Sequence, residues 1–271
     1  MDRVLGVDVS DYQDPAKMDY VALKAQGFEF VIVKIGGSLW RAKHAAEHIR
    51  RAREAGFGVV IGYYWVDPTM MAQSQIDFVI ALARELGVDA VALDDEQWWA
   101  DWRKWDQANR GLIPRDRVPV IPGAKISAVC KAVAVGVAAA FRLLNYTAQW
   151  FVDRYSPQMV EWLDDFDQWM ASYLRGAVRR VTWEQLAEIV GTVGDPYMPT
   201  GLLVTVRLKV RQFDSKLMVP GHDRLDLNVW RGDRASLYEW AGKTAEPVED
   251  PVPADALERL WRYAERQGWQ V

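Results

Sequence analysis

Gly6-Val7-Asp8-Val9-Ser10-Asp11-Tyr12 closes the first apolar run of the chain, and its composition narrows the fold. Val4 to Val9 has the β-branched character of a buried strand. The turn after it carries acids and a serine, where a doubly wound nucleotide-binding sheet would place a glycine-rich phosphate loop. Outward from this point, β-branched runs alternate with longer amphipathic stretches. A helix over Tyr20–Gln26 stops at Gly27, and the strand Phe28–Ile35 follows. A helix over Ala42–Ala55 closes at Gly56 before the strand Val59–Val66, and a helix over Thr69–Leu86 ends at Gly87 before the strand Ala90–Glu96. Such tightly spaced β/α units imply a parallel sheet with right-handed crossovers. With no phosphate turn present, the reading is an α/β fold: an irregular (β/α) TIM-like barrel with a parallel sheet core.

The second half is less regular. Trp98 to Pro122 is polar and Trp-rich and reads as a long βα loop, followed by a helix over Lys125–Phe141 and a strand over Leu143–Thr147. Further strands are expected at Asp167–Ser172, within Leu202–Phe213 and at Arg224–Val229, with a helix over Trp183–Val190. Residues 1–240 are expected to form the catalytic barrel, 241–253 a Pro- and Glu-rich linker, and 254–271 an amphipathic helix bearing Leu257, Leu260, Trp261 and Ala264 on one side.

At 271 residues and 50% hydrophobic content, the chain can bury one large core. A net charge of -4 leaves no basic excess to neutralise phosphates, so no nucleic-acid partner is expected. One cysteine, Cys130 in an apolar run, excludes an intrachain disulfide and reads as a packing residue. Met1-Asp2-Arg3 enters the first strand directly, without a signal core, and the longest apolar run, Ala132 to Leu144, is too short to span a bilayer. Cytoplasmic synthesis without a signal peptide or membrane insertion is therefore the expectation. No cofactor and no metal are expected: His44, His48 and His222 lack a zinc-site order and read as surface or helix-packing residues.

The feature richest in chemistry is Ala92-Leu93-Asp94-Asp95-Glu96. An apolar strand that ends in consecutive acids is costly unless those acids are used or solvated. Active sites of β/α barrels occupy that end of the strands. Side-chain alternation puts Asp94 and Glu96 on one face and turns Asp95 to the other. Two strand residues span roughly 7 Å, bringing the carboxyl groups to within about 5–7 Å, a range that overlaps the roughly 5–5.5 Å of retaining glycosidases. Two carboxyl groups so close cannot ionise independently, and the one kept protonated can donate to a glycosidic oxygen. A solvated acidic strand end or a divalent-metal site satisfies the same pattern. Asp8 ends the first strand and Asp226, in Leu225-Asp226-Leu227-Asn228, belongs to the last. A barrel closes its last strand on its first, so both acids can reach the same cleft.

The ordered motifs resemble glycoside hydrolase family 25, the Chalaropsis-type muramidases. Gly6-Val7-Asp8-Val9-Ser10 with Tyr12-Gln13 looks like the family's opening, followed by Phe30-Val31-Ile32-Val33-Lys34, Gly62-Tyr63-Tyr64, Asp94-Asp95-Glu96 and Tyr146-Thr147. Trp169-Met170-Ala171-Ser172-Tyr173, Gln212-Phe213 and Asp226-Leu227-Asn228 complete the series, which spans roughly residues 4 to 235. The resemblance implies hydrolysis of the β-1,4 bond between N-acetylmuramic acid and N-acetylglucosamine, with net retention. By position Glu96 would be the general acid and Asp94 would stabilise positive charge or orient the 2-acetamido group, with Asp8 and Asp226 completing the cleft. Lys34, Tyr64, Trp65, Tyr146, Trp169, Tyr173, Gln212 and Asn228 are the expected substrate-binding residues. The implied partner is the glycan strand of bacterial peptidoglycan. A phage-type endolysin without a signal peptide favours delivery by a separate holin-type release protein, followed by action on the wall. A non-catalytic peptidoglycan-binding barrel and a metal-dependent hydrolase are the alternatives.

The chain departs from the family's usual pattern at Ile35-Gly36-Gly37-Ser38, at Trp65-Val66 and at Arg211. Trp98, Trp99, Trp102 and Trp105 follow the acidic strand, and their spacing fits either a helix packed on the barrel or a glycan-contacting rim.

Overall fold

The computed structural model describes residues 3–174 and 176–245. The expected helix over 254–271 and all but the first residues of the expected linker lie outside the described residues.

The strands are β1 (Val4–Val9), β2 (Phe28–Gly37), β3 (Trp40–Arg41), β4 (Val59–Trp65), β5 (Ala90–Asp94) and β6 (Leu143–Ala148), then β7 (Asp167–Ala171), β8 (Arg179–Arg180), β9 (Leu208–Asp214), β10 (Leu217–Met218) and β11 (Asp226–Trp230). The helices are α1 (Tyr20–Ala25), α2 (Ala45–Glu54), α3 (Ala72–Leu86), α4 (Trp102–Asn109), α5 (Gly123–Ala138), α6 (Gln149–Tyr155), α7 (Trp183–Thr192) and α8 (Arg234–Trp240). The main sheet runs β1-β11-β9-β7-β6-β5-β4-β2-β3, and β1 also pairs with β2, which closes an eight-stranded barrel with β3 as a short appendage. All the barrel pairings are parallel except those of β11, which runs antiparallel to both β9 and β1. The final strand therefore departs from the parallel sheet. The link from Asp214 to Asp226 is too short for a crossover helix and carries only the two-residue β10, so the chain returns as a hairpin.

Strand alternation separates two cores. The lumen holds Val4, Phe30, Ile32, Val59, Ile61, Ala90, Ala92, Leu144, Trp169, Val210 and Trp230. The opposite faces, with Val7, Val31, Val33, Val60, Tyr64, Val91, Leu93 and Phe213, pack against the helices. Burial on both faces is why these strands are apolar throughout. Gly6 is required inside the lumen, because a Cβ there would meet the Phe30 ring at 2.3 Å. Leu237, Tyr238, Trp240 and Ala241 of the α8 region join the lumen cluster and plug the barrel floor. That end is further pinned by Lys243, whose Nζ donates to Gly58 O at 2.7 Å and pairs with Asp89 at 3.0 Å.

The Trp98–Pro122 segment is more than a loop. Trp99 bridges Val120, Asp101 caps α4 by accepting from Arg103 N and Lys104 N, and Trp102 and Trp105 lie on α4. His48 is fully buried, with Nδ1 2.6 Å from Tyr20 Oη, and so serves packing as expected. No helix among the described residues is long and apolar enough to cross a membrane.

Candidate active site

The lumen-facing positions turn polar at one end of the barrel. Asp8 follows Val4 and Gly6 on β1, Asp94 follows Ala90 and Ala92 on β5, and Glu96 lies just beyond that strand. On β6 the inward position is Tyr146, on β7 Trp169, and Tyr173 follows past its end. On β9 it is Gln212. Because β11 runs the other way, its first residue rather than its last reaches this end, and Asp226 pairs directly with Asp8. The reversed strand is what brings the fourth acid to the site.

These residues line one pocket of about 170 Å³: Asp8, Tyr63, Asp94, Glu96, Tyr146, Trp169, Tyr173, Gln212 and Asp226. A chain of donors converges on Asp8. Tyr146 Oη and Tyr173 Oη donate to Gln212 Oε1 at 2.9 and 2.7 Å, and Gln212 Nε2 donates to Asp8 Oδ2 at 2.8 Å. From the other side Trp169 Nε1 donates to Asn228 Oδ1 at 2.8 Å, and Asn228 Nδ2 donates to the same Asp8 oxygen at 2.8 Å. Each link fixes the orientation of the next, so Asp8 is held rigidly.

Burial dominates the acidity of the site. It pushes Glu96 up to about 8, with the Asp94 charge adding, Lys34 opposing and Asp226 adding a little more. Asp94 rises to about 6 through burial, opposed by Lys34. Asp226 also rises to about 6, through burial and then Asp214, against Arg224. Asp8 is raised well above the usual carboxylate range by burial and by Asp226, against the N–H donors of Asn228 and Gln212. Near neutrality Glu96 is thus the protonated member beside a largely ionised Asp94. The Lys34 ammonium stands 5.4 Å from the Tyr63 ring centre, 5.8 Å from Trp65 and 5.6 Å from Trp40, in a cation–π cradle on the pocket's flank.

The structure thus brings Asp8, Asp94, Glu96, Asp226, Tyr146, Trp169, Tyr173 and Gln212 together, with Lys34 at the edge. Three expected contacts are placed differently. Tyr64 faces the helical layer, fully buried against Phe78, and its hydroxyl accepts from Leu39 N at 3.1 Å. Its neighbour Tyr63 occupies the pocket instead. Because β4 is apolar on both faces, its sequence does not reveal its phase; the inward series Val59, Ile61, Tyr63 emerges only once the strand is in the barrel. Asn228 is fully buried, and its side chain is occupied by Asp8 and Trp169, so it positions Asp8 rather than facing the pocket. Trp65 lines a separate, adjacent groove. Asp95 points outward as alternation requires, where burial raises it well above the usual carboxylate range and only the Cys130 thiol beside it opposes that rise. Among the described residues, no group of three or more His, Cys, Asp or Glu is disposed to hold a metal ion.

A closed β/α barrel with carboxyl groups at the C-terminal end of its parallel strands has the architecture of a barrel enzyme. A family model described as glycosyl hydrolases family 25 matches residues 7–189. The chain belongs to that family, and is a glycoside hydrolase. Its fold is similar to a bacterial lysozyme from Streptomyces coelicolor, with TM-score 0.64 and 16% identity over 89% of this chain and 98% of that one. A muramidase from Acremonium alcalophilum matches with TM-score 0.62 and 15% identity over 88% and 98% of the two chains. The catalytic domain of an endolysin from a bacteriophage of Listeria monocytogenes matches with TM-score 0.58 and 13% identity over 89% and 98%. No curated protein matches the chain by sequence.

Proposed function

We propose that the protein is a peptidoglycan hydrolase that cleaves the β-1,4 bond between N-acetylmuramic acid and N-acetylglucosamine with net retention. The observation that carries this reading is Glu96, raised to about 8, beside Asp94, raised only to about 6, in one acid-lined pocket. Paired carboxyl groups with separated acidities divide the labour of glycoside hydrolysis. Glu96 gives its proton to the leaving oxygen. Asp94, ionised and moderated by Lys34, stabilises the developing positive charge or orients the 2-acetamido group of the substrate. Asp8 is held by two amide donors on Oδ2, and with Asp226 it shapes the far side of the pocket. Tyr146, Trp169 and Tyr173 offer ring edges and hydroxyls to the sugar, and Tyr63 replaces Tyr64 in that role.

Digestion of purified peptidoglycan by wild type and by Glu96→Gln, with mass analysis of the fragments, tests this assignment. The expected products carry muramic acid at new reducing ends and are absent with the variant. Proton NMR of the first product formed reads retention directly. Binding without new reducing ends would support the non-catalytic alternative, and loss of activity in EDTA the metal-dependent one. The likeness to the catalytic domain of an endolysin fits action on the bacterial wall, and release by a separate holin-type protein is a further part of the proposal. Cells expressing the chain are then expected to lyse only once their membrane is permeabilised.

A further inference from the structure

At the floor of the barrel, the end opposite the acid pocket, lies a cavity of about 990 Å³. Five of its lining residues are basic, Arg3, Arg142, Lys209, Arg211 and Arg231, and two are acidic, Asp195 and Glu239. We propose that this cavity binds a linear polyanion of repeated phosphodiesters, a polyol phosphate chain of the bacterial wall, and so anchors the enzyme beside the glycan it cleaves. The anchoring role rests on the muramidase reading above; the binding itself does not.

The cavity follows from the reversed last strand. β9 and β11 are joined by a hairpin rather than through a crossover helix, so irregular chain at 193–195 and 204–206 walls this corner of the floor. Onto the outer face of the pair the sequence places three cations. Lys209 and Arg211 lie two residues apart on β9 and so share a face. The register sets Val229 against Arg211 and Trp230 against Val210, and Arg231 N donates to Lys209 O at 2.7 Å. Arg231 therefore stands opposite Lys209. Like charges directly opposite on neighbouring strands destabilise a sheet.

The fold leaves most of this charge uncompensated. Among the described residues, Arg231 pairs with Asp195 at 2.8 Å, while Arg3, Arg142, Lys209 and Arg211 form no ion pair. Arg207, beside the cavity, is by contrast paired with Asp167 at 3.5 Å. Arg211, where the chain departs from its family's usual pattern, is 5% exposed and donates to the carbonyls of Ser172, Gly194 and Asp195. Burial and then the Arg3 charge hold its pKa below the usual guanidinium value, against Asp195. Carbonyls satisfy its N–H groups but leave its charge in place. Positive charge gathered in a cavity is costly unless an anion joins it. The gathering is also opposite in sign to the whole chain, whose net charge is -4.

The ligand class follows from the donors. Four of the five cations are arginines, whose forks grip oxyanions through paired hydrogen bonds. They reach the cavity from before β1, before β6, from β9 and from beyond β11. Donors arriving from several directions suit tetrahedral phosphate groups better than the single edge of a carboxylate. The volume lies at the upper end of the roughly 300–1,000 Å³ of small-ligand sites, more than one phosphate ion fills. Val204, Val206 and Leu208 supply apolar wall for the carbon links between phosphates. Trp230 and Trp240 also line the cavity but are buried, so they offer nucleic-acid bases no stacking platform. A bilayer presents its phosphates in a plane and does not enter a concave site. Anchored at its floor, the barrel would meet wall glycan at its mouth at a raised local concentration.

Calorimetry on the full chain with a synthetic oligo(glycerol phosphate) tests the proposal. Wild type is expected to bind it with an affinity that falls as salt rises. Lys209→Glu should lose about tenfold or more in affinity and Arg142→Ala about threefold. Lys209→Glu should also raise the urea midpoint of the unliganded chain, because it sets an opposite charge against Arg231. A lowered midpoint would mean that Lys209 serves the fold and would count against the site. No binding by wild type, or unchanged affinity in Lys209→Glu, overturns the proposal. So does equal or tighter binding of a single-stranded oligonucleotide of matched charge or of phosphatidylglycerol vesicles. For the anchoring role, Lys209→Glu should digest walls that retain their phosphate polymer several-fold more slowly than wild type, and walls stripped of it at the same rate. Equal rates on both walls refute anchoring. If wild type cleaves no peptidoglycan, the muramidase reading fails, while calorimetry still judges the cavity separately.

Discussion

Tyr63 and Tyr64 are neighbours in the chain, as are Asp94 and Asp95, yet each pair is divided between two environments. The first member of each pair faces the lumen end and lines the acid pocket. The second faces the helical layer, Tyr64 against Phe78 and Asp95 beside Cys130. Acidity alone does not separate the faces, because burial raises Asp95 as it raises Asp8, Asp94, Glu96 and Asp226. What separates them is company. The inner acids share an open pocket, in which Asp8 accepts from Gln212 and Asn228 and Lys34 opposes the rise of Asp94 and Glu96, whereas Asp95 lies outside it with only the Cys130 thiol beside it. A perturbed carboxyl group is therefore a functional signal only where a pocket and partners accompany it.

The largest expected effect lies on the inner face. Glu96→Gln keeps shape and removes the transferable proton, so kcat on peptidoglycan should fall about 10²- to 10⁴-fold with stability nearly unchanged. A loss below about tenfold would move the acid role elsewhere in the pocket. A second test is the pH profile. If Asp94 must be ionised and Glu96 protonated, the rate falls below about 6 and above about 8, tending to tenfold per pH unit on each side. Glu96→Gln should erase the alkaline limb of whatever activity survives.

The tyrosine pair sharpens the comparison at smaller scale. Tyr63→Ala removes a pocket wall and a ring under Lys34, and about a tenfold loss of kcat/KM is expected. Tyr64→Phe keeps the core filled but leaves Leu39 N without its acceptor. It should lower stability by about 1 kcal/mol and leave cleavage of short fragments within about threefold. The reverse ranking in steady-state kinetics would show that the inner and outer assignments of β4 are exchanged.

Much of this arrangement was readable in the sequence, and the exceptions have physical causes. Strands β1, β2, β4 and β5 could be placed because punctuating glycines and alternating periodicities agree there, whereas the two-residue β3 is too short to leave a pattern. The acids could be grouped because closure of a barrel joins its last strand to its first. Strand direction leaves no local trace, so the antiparallel β11 that delivers Asp226 beside Asp8 was not foreseen. The phase of β4 was hidden by burial on both faces, which exchanged Tyr63 for Tyr64. The α8 plug was missed because Leu237, Tyr238 and Trp240 sit in a helix of only seven residues, too short for a clear period. The bridge between Trp99 and Val120 joins residues far apart in the chain, and no local pattern announces it.

The smallest expected effect on catalysis, and the most informative about the outer face, is that of Asp95→Asn. Activity should stay within about threefold of wild type, since Asp95 does not touch the pocket. Stability should change in a way that depends on pH. The folded protein holds the Asp95 proton well above the unfolded value near 3.9, because ionisation would bury a charge that only the Cys130 thiol offsets. The proton-linked stabilisation from this group is fully present below about pH 4 and is lost as pH rises towards the folded pKa. Asparagine carries no such proton. The stability of Asp95→Asn relative to wild type should therefore rise with pH by about 1 kcal/mol per unit above pH 5, as read by urea unfolding at several pH values. A difference independent of pH would mean that the outer carboxyl group finds partners when ionised, and that the two faces of β5 are less unlike than their contacts indicate.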